Sequence, residues 1–161
     1  MSRIPDSVSF AADVGARMYG LLKDSGQLGQ QRAGSGSSKM GLVRRAQEFP
    51  SLVLSIGLSP AVTFYMAKAG DGLRELGKLI GCLGGKGEGC ESWEKELSRE
   101  EGKGYTGYLA ILVAALSRLG VAPPSNDYRG MLEAVRGLDV RRQRLLMPYI
   151  IEVKKVLEAL E

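Results

Sequence analysis

Apolar residues return every three or four positions along most of this chain, a helical period. Ala11, Val14, Met18 and Leu21 form the buried stripe of a helix predicted from Asp6 or Ser7 to Lys23, which Asp24-Ser25-Gly26 ends. Leu42, Ala46, Phe49, Val53 and Ile56 mark a second helix, and Leu58, Val62, Tyr65, Met66 and Ala69 a third. Between them lies a sharp corner. Gly57 suits the left-handed end of one helix, Ser59 the N-cap of the next, and Pro60 its first position. Pro50 lies inside the second stripe and predicts a kink or break near Ala46 to Phe49. A fourth helix begins near Asp71 with Leu73, Leu76, Ile80 and Leu83. Gly77 and Gly81 either weaken it, each by about 1 kcal/mol, or admit a close neighbour.

Glu91 to Glu101 reads as a short acidic helix whose apolar pair is Trp93 and Leu97, with Trp93 either a core anchor or a surface contact for a protein. The most hydrophobic segment, Tyr105 to Leu119, carries Tyr105, Tyr108, Leu109, Leu112 and Leu116 on one face. Ile111, Val113 and Ala115 extend the apolar surface around its sides, as a central core helix requires. Gly120 stops it and Pro123-Pro124 enforce an extended turn. A short helix follows from about Asp127 to Val135, ended by Gly137. Asp139 suits the cap of a last helix, Val140 to Leu160, whose stripe is Leu146, Ile150, Val153 and Leu157 and whose ladder Pro148 interrupts. The architecture expected is all-α: a single compact bundle of about six to seven helices with Pro-kinked second and last helices. Residues 1–161 form one helical domain, with a Gly/Ser-rich connection at about 27–38 and a Gly-rich loop at about 84–90. The first connection is either a plain linker or a basic loop around Arg32 and Lys39 that orders on a partner.

Composition narrows the chemistry more than it names it. A chain of 161 residues with 44% hydrophobic and 25% charged residues supports one domain with a real core. Aromatics are 6%, too few for a sheet that stacks bases. The net charge of +4 suits contact with a polyanion and equally suits simple solubility. There is no histidine, so the usual general base and imidazole metal ligand are missing, and two cysteines alone cannot close a structural zinc site. Cys82 and Cys90 flank a flexible loop, and both a local disulfide and two free thiols remain open. Gly81, Gly85 and Lys86 are one residue short of phosphate-loop spacing and follow a helix instead of a strand, which rules against a nucleotide site. No cofactor and no metal is expected. Asp6 and Asp13 interrupt any signal peptide, and no apolar run approaches the roughly 20 residues of a membrane span, so a cytoplasmic protein is expected.

Charge placed against local preference is the strongest functional signal. Arg141, Arg142 and Arg144 fall in the first turns of the last helix, at the positive pole of its dipole, where each exposed cation is disfavoured by roughly 0.3–1 kcal/mol. Arg44 and Arg45, with Lys39 nearby, form a second basic cluster. Arg44 is expected beside the apolar stripe, Arg45 further round, and both pointing outward. Either cluster is a solvated face whose long stems cover apolar surface, or a set of phosphate contacts that give affinity without base preference.

The corner from Glu48 to Lys68 also carries a resemblance. A basic helix leads to Phe49-Pro50, an aliphatic run, Gly57-Leu58, and an apolar helix with Phe64-Tyr65; earlier stands Phe10-Ala11-Ala12-Asp13-Val14. This order resembles the small subunit of the type III-B CRISPR effector, the RNA-targeting Cmr complex. The Gly/Ser-rich insert and a last helix without tryptophan depart from that pattern. The resemblance implies an all-helical, non-catalytic subunit of an antiviral ribonucleoprotein. It would stack with copies of itself along the guide–target RNA duplex, beside the backbone subunits and the large subunit. Lys39, Arg44, Arg45, Arg141, Arg142 and Arg144 are the candidate phosphate contacts. The competing expectation is a helical protein-interaction adaptor with no nucleic-acid role. An enzyme fits the pattern least, because the glutamates from Glu91 to Glu101 read as a solvated helical face.

Overall fold

A computed structural model of the chain describes residues 4–24, 41–83 and 101–159. Among these, α1 spans Asp6–Asp24, α2 Gly41–Ile56, α3 Leu58–Ala69, a 3-10 helix Gly70–Glu75, α4 Leu76–Leu83, α5 Glu101–Arg118, α6 Tyr128–Arg136 and α7 Val140–Ala159. The fold is an all-α bundle, as the period predicts. The Gly/Ser-rich connection, the Gly-rich loop, the acidic segment with Trp93, and Lys39 and Cys90 lie outside the described residues.

The bundle is organised on α5. Every residue from Gly104 to Val113 is buried, and α2, α3, α4, the 3-10 helix and α7 all pack against this helix. A helix apolar all round is stable only in such a position. Its tyrosines close an aromatic cluster with the corner. Phe49 meets Tyr65 and Tyr108 with ring centroids 4.9 Å apart, and Tyr65 meets Tyr105 edge-on at 4.8 Å. Such pairs contribute about 0.5–1.5 kcal/mol each beyond their buried area. At the bundle's other side α1 packs along α7, and Phe10 meets Tyr149 edge-on at 5.5 Å.

Both prolines lie inside continuous helices, Pro50 in α2 and Pro148 in α7. Two sequence expectations need correction in detail. The corner holds a single residue. Gly57, at φ 92° and ψ 166°, both accepts the end of α2, donating to the Val53 carbonyl at 2.8 Å, and stands as N-cap of α3. Ser59 therefore lies inside α3 and caps nothing, because the helix begins one residue before it. The second correction concerns the fourth helix. It opens with a 3-10 turn, and α4 buries Leu76, Leu79 and Cys82, while Leu73, Ile80 and Leu83 are only partly buried.

The last two helices each begin on an aspartate, and the Asp139 cap is the one expected from the sequence. Asp127 accepts from the Gly130 amide at 2.9 Å and from Ser125 Oγ at 2.7 Å, and these bonds hold its carboxyl below the ordinary aspartate range. Asp139 accepts from the Arg142 amide at 2.7 Å at the start of α7.

Candidate nucleic-acid interface

The first turn of α7 is locked before its arginines come into play. Asp139 caps it, and Gln143 Nε2 donates to the Leu138 carbonyl at 3.1 Å. Arg141, Arg142 and Arg144 are all exposed, and none forms an ion pair among the described residues. Three cations thus stand in water at the positive pole of a 20-residue helix, compensated locally by one aspartate. They do not share one face. At about 100° per residue, Arg141 and Arg144 lie roughly 60° apart on the side away from the buried stripe of Leu146, Ile150, Val153 and Leu157. Arg142 falls on the angular side of Tyr149, and its position in the first turn leaves it exposed.

The second cluster divides more sharply. Arg44 is exposed on α2, opposite the Leu42, Ala46 and Phe49 stripe. Arg45 does not point outward; it is 7% exposed. Its Nη1 donates to the Tyr105 hydroxyl, its guanidinium lies 4.4 Å from the centre of the Tyr105 ring, and Glu48 approaches to 3.5 Å. Tyr65 donates from its hydroxyl to the Arg45 carbonyl at 2.5 Å. Burial, and then the Glu48 charge, hold the Tyr65 hydroxyl protonated well above the ordinary tyrosine range. The expectation reversed the two residues. Arg45 stands three after Leu42 and four before Phe49, so it belongs to the buried stripe, and that spacing was the available signal. The solvent-facing candidates are therefore Arg44, Arg141, Arg142 and Arg144, with Lys39 outside the described residues.

A polar cluster that sequence reasoning missed closes the opposite end of α5. Arg118 donates to Asp6 Oδ1 at 3.0 Å and to Asp13 Oδ2 at 2.8 Å, and lies 5.6 Å from the Phe10 ring centre. Tyr149 donates to Asp6 Oδ2 at 2.5 Å. Asp6 and Asp13 are seven apart, on one face of α1; that period was legible, but their partner, 112 and 105 residues away, was not. Beside this cluster a cavity of about 430 Å³ opens between Phe10, Val14, Ile80, Leu83 and Ala114, sharing no residue with either basic cluster.

Cys82 is buried and disulfide-bonded, and the chain's other cysteine is Cys90. Among the described residues no three Cys, Asp or Glu side chains gather as a metal site, and no helix is long and apolar enough to cross a membrane. Compared with known proteins, the chain matches no family model, no curated protein and no solved structure.

Proposed function

We propose that this chain is a non-catalytic small subunit of a type III-B CRISPR (Cmr) ribonucleoprotein, contacting RNA phosphates while a guide RNA chooses the sequence. The observation that carries the reading is the exposed arginine set at the start of α7, uncompensated by ion pairs among the described residues. Cations at a positive helix pole cost stability, and a partner that brings phosphates offsets that cost. The resemblance of the corner from Glu48 to Lys68 supplies the family, and the all-α bundle is compatible with it.

The test is RNA binding as a function of salt. Arg141→Glu with Arg142→Glu is expected to weaken retention of a guide–target duplex and to lower the slope of log affinity against log salt. Each phosphate that the protein no longer neutralises takes about 0.7–0.9 off that slope. The thermal midpoint should hold or rise, because both side chains are exposed and acids suit the positive pole of the helix. Equal affinity of variant and wild type across the titration removes the assignment.

A second reading, a protein-interaction adaptor, draws on a different observation. Leu54 is 81% exposed at the corner, with Ile56 and Phe64 about half exposed near it. A monomer gains nothing from an apolar corner in water. An adaptor predicts no salt-dependent RNA binding at all.

A further inference from the structure

The turn between α6 and α7 is fixed on both sides. The Gly137 amide donates to the Glu133 carbonyl at 3.0 Å, and the Leu138 amide to the Val135 carbonyl at 3.2 Å. Beyond them, the Asp139 cap and the bond from Gln143 Nε2 to the Leu138 carbonyl close the first turn of α7. Arg141 follows Arg136 by five residues, a reach of at most about 18 Å in a fully extended chain, and this turn is folded back on itself. The end of α6 is therefore held at a short, set distance from the exposed arginines of α7.

The outer side of α6 is basic. Its buried residues are Gly130, Met131, Ala134 and Val135. At about 100° per residue, Arg129 and Arg136 fall within roughly 20° of each other on the opposite side, two turns or about 10 Å apart along the axis. Both are exposed. Glu133 is exposed between them, yet among the described residues neither arginine forms an ion pair with it or with another carboxylate. Arg129 Nε donates to the Tyr128 hydroxyl at 3.1 Å, a neutral partner that leaves the charge uncancelled.

The two helices also open alike. Asp127 precedes Arg129 by two residues, as Asp139 precedes Arg141, and each aspartate accepts from the backbone amide three residues on. Arg129 thus repeats, at the positive pole of α6, the disfavoured placement of Arg141 in α7. Arg136 lies in the last turn, where the pole favours it, and so holds a cation in register with Arg129 at no local cost.

We propose that the phosphate-binding surface continues from the start of α7 across this turn onto the outer side of α6, with Arg136 and Arg129 as further phosphate contacts. The inference rests on the RNA reading and adds two residues that the sequence pattern did not single out. A guanidinium fork matches phosphate oxygens, and such contacts position a strand without choosing its bases. The fixed turn favours the arrangement, because groups on a rigid frame lose less freedom when they bind.

Salt titrations with the guide–target duplex test it. Arg129→Gln and Arg136→Gln should each lower the slope of log affinity against log salt by about 0.7–0.9, and the pair by about twice that. Arg129→Gln should melt at or above wild type, because it takes a cation from a positive pole, so its weaker binding does not report unfolding. Arg17→Gln is the control for net charge. Arg17 is exposed on α1, two residues past Gly15, which packs against Val156. Val156 stands fifteen residues, about 22 Å, along α7 from Arg141, so the slope of this control should equal wild type. A wild-type slope in either single variant removes that residue from the surface. Wild-type slopes in both, beside a lowered slope for Arg141→Glu with Arg142→Glu, overturn the extension and leave the RNA reading standing. An equal loss in Arg17→Gln also overturns it, since net charge alone then accounts for the effect. A wild-type slope in the Arg141/Arg142 variant removes the RNA reading and this inference with it.

Discussion

Arg44 and Arg45 are adjacent in sequence and opposite in role. Arg44 is exposed, whereas the Arg45 guanidinium is held within the core wall by the Tyr105 hydroxyl and ring and by Glu48. Truncating it leaves the buried Tyr105 hydroxyl without its donor. Arg45→Ala is therefore expected to lower unfolding free energy by about 1–3 kcal/mol, the range for a buried hydrogen-bonding group left unmatched. Arg44→Ala should stay within about 0.5 kcal/mol, as exposed substitutions do. Urea denaturation with an unchanged m-value checks both, and equal costs would mean that Arg45 is no more integral than its neighbour. One practical consequence is that weaker RNA binding in an Arg45 variant reports a damaged wall, not a missing phosphate ligand.

Elements show where sequence reading succeeds and where it stops. The stripes of α1, α2, α3 and α7 were legible because each alternates buried and exposed positions over several turns, and α5 because it is apolar on nearly every side. The 3-10 turn before α4 was not legible. Gly70 to Glu75 buries no side chain, so nothing in its pattern reports how tightly it winds. Arg45 shows the limit of charge as a guide to exposure, since its spacing from Leu42 and Phe49 sets it in the buried stripe despite its charge. Close approaches are a further blind spot, since sequence does not show which glycine faces a neighbour. Gly104, in the buried part of α5, is such a case. A Cβ there would come within 2.8 Å of the Gly41 carbonyl carbon and 3.1 Å of the Leu42 nitrogen, at the start of α2. Helix propensity alone favours alanine over glycine by about 1 kcal/mol. The neighbour is backbone, which cannot rotate away, so steric cost should win. Gly104→Ala is expected to destabilise, lowering the thermal midpoint by several degrees, on the order of 1–3 kcal/mol for overpacking in a core. A rise in the midpoint would show that α2 gives way at little cost.

At the scale of the whole molecule, the N-terminal helix is fastened by one polar cluster that joins three helices distant in sequence. Arg118 closes α5 and grips Asp6 and Asp13 of α1, while Tyr149 of α7 donates to the same Asp6. The two ion pairs are partly exposed, so each is worth little in isolation. Tyr149 differs because its ring is buried against Phe10. Burial first, and then the hydrogen bond to Asp6, push its hydroxyl up to about 12 from the ordinary value of 10.0. The sign follows from the proton count. Between pH 10 and about 12 the folded chain keeps this proton while the unfolded chain has lost it, so unfolding releases a proton and stability falls as pH rises. Below pH 10 both states are protonated and the contribution is fully present. Lysines also titrate in that window, so the total curve does not isolate the effect, but the difference from Tyr149→Phe does. Phenylalanine keeps the edge contact with Phe10 and removes only the titrating hydroxyl. Urea midpoints for the two chains should run parallel below pH 10 and converge as pH approaches about 12, with the wild type losing stability faster. Parallel curves throughout would place the Tyr149 hydroxyl in water and leave α1 held by Arg118 and its apolar stripe alone.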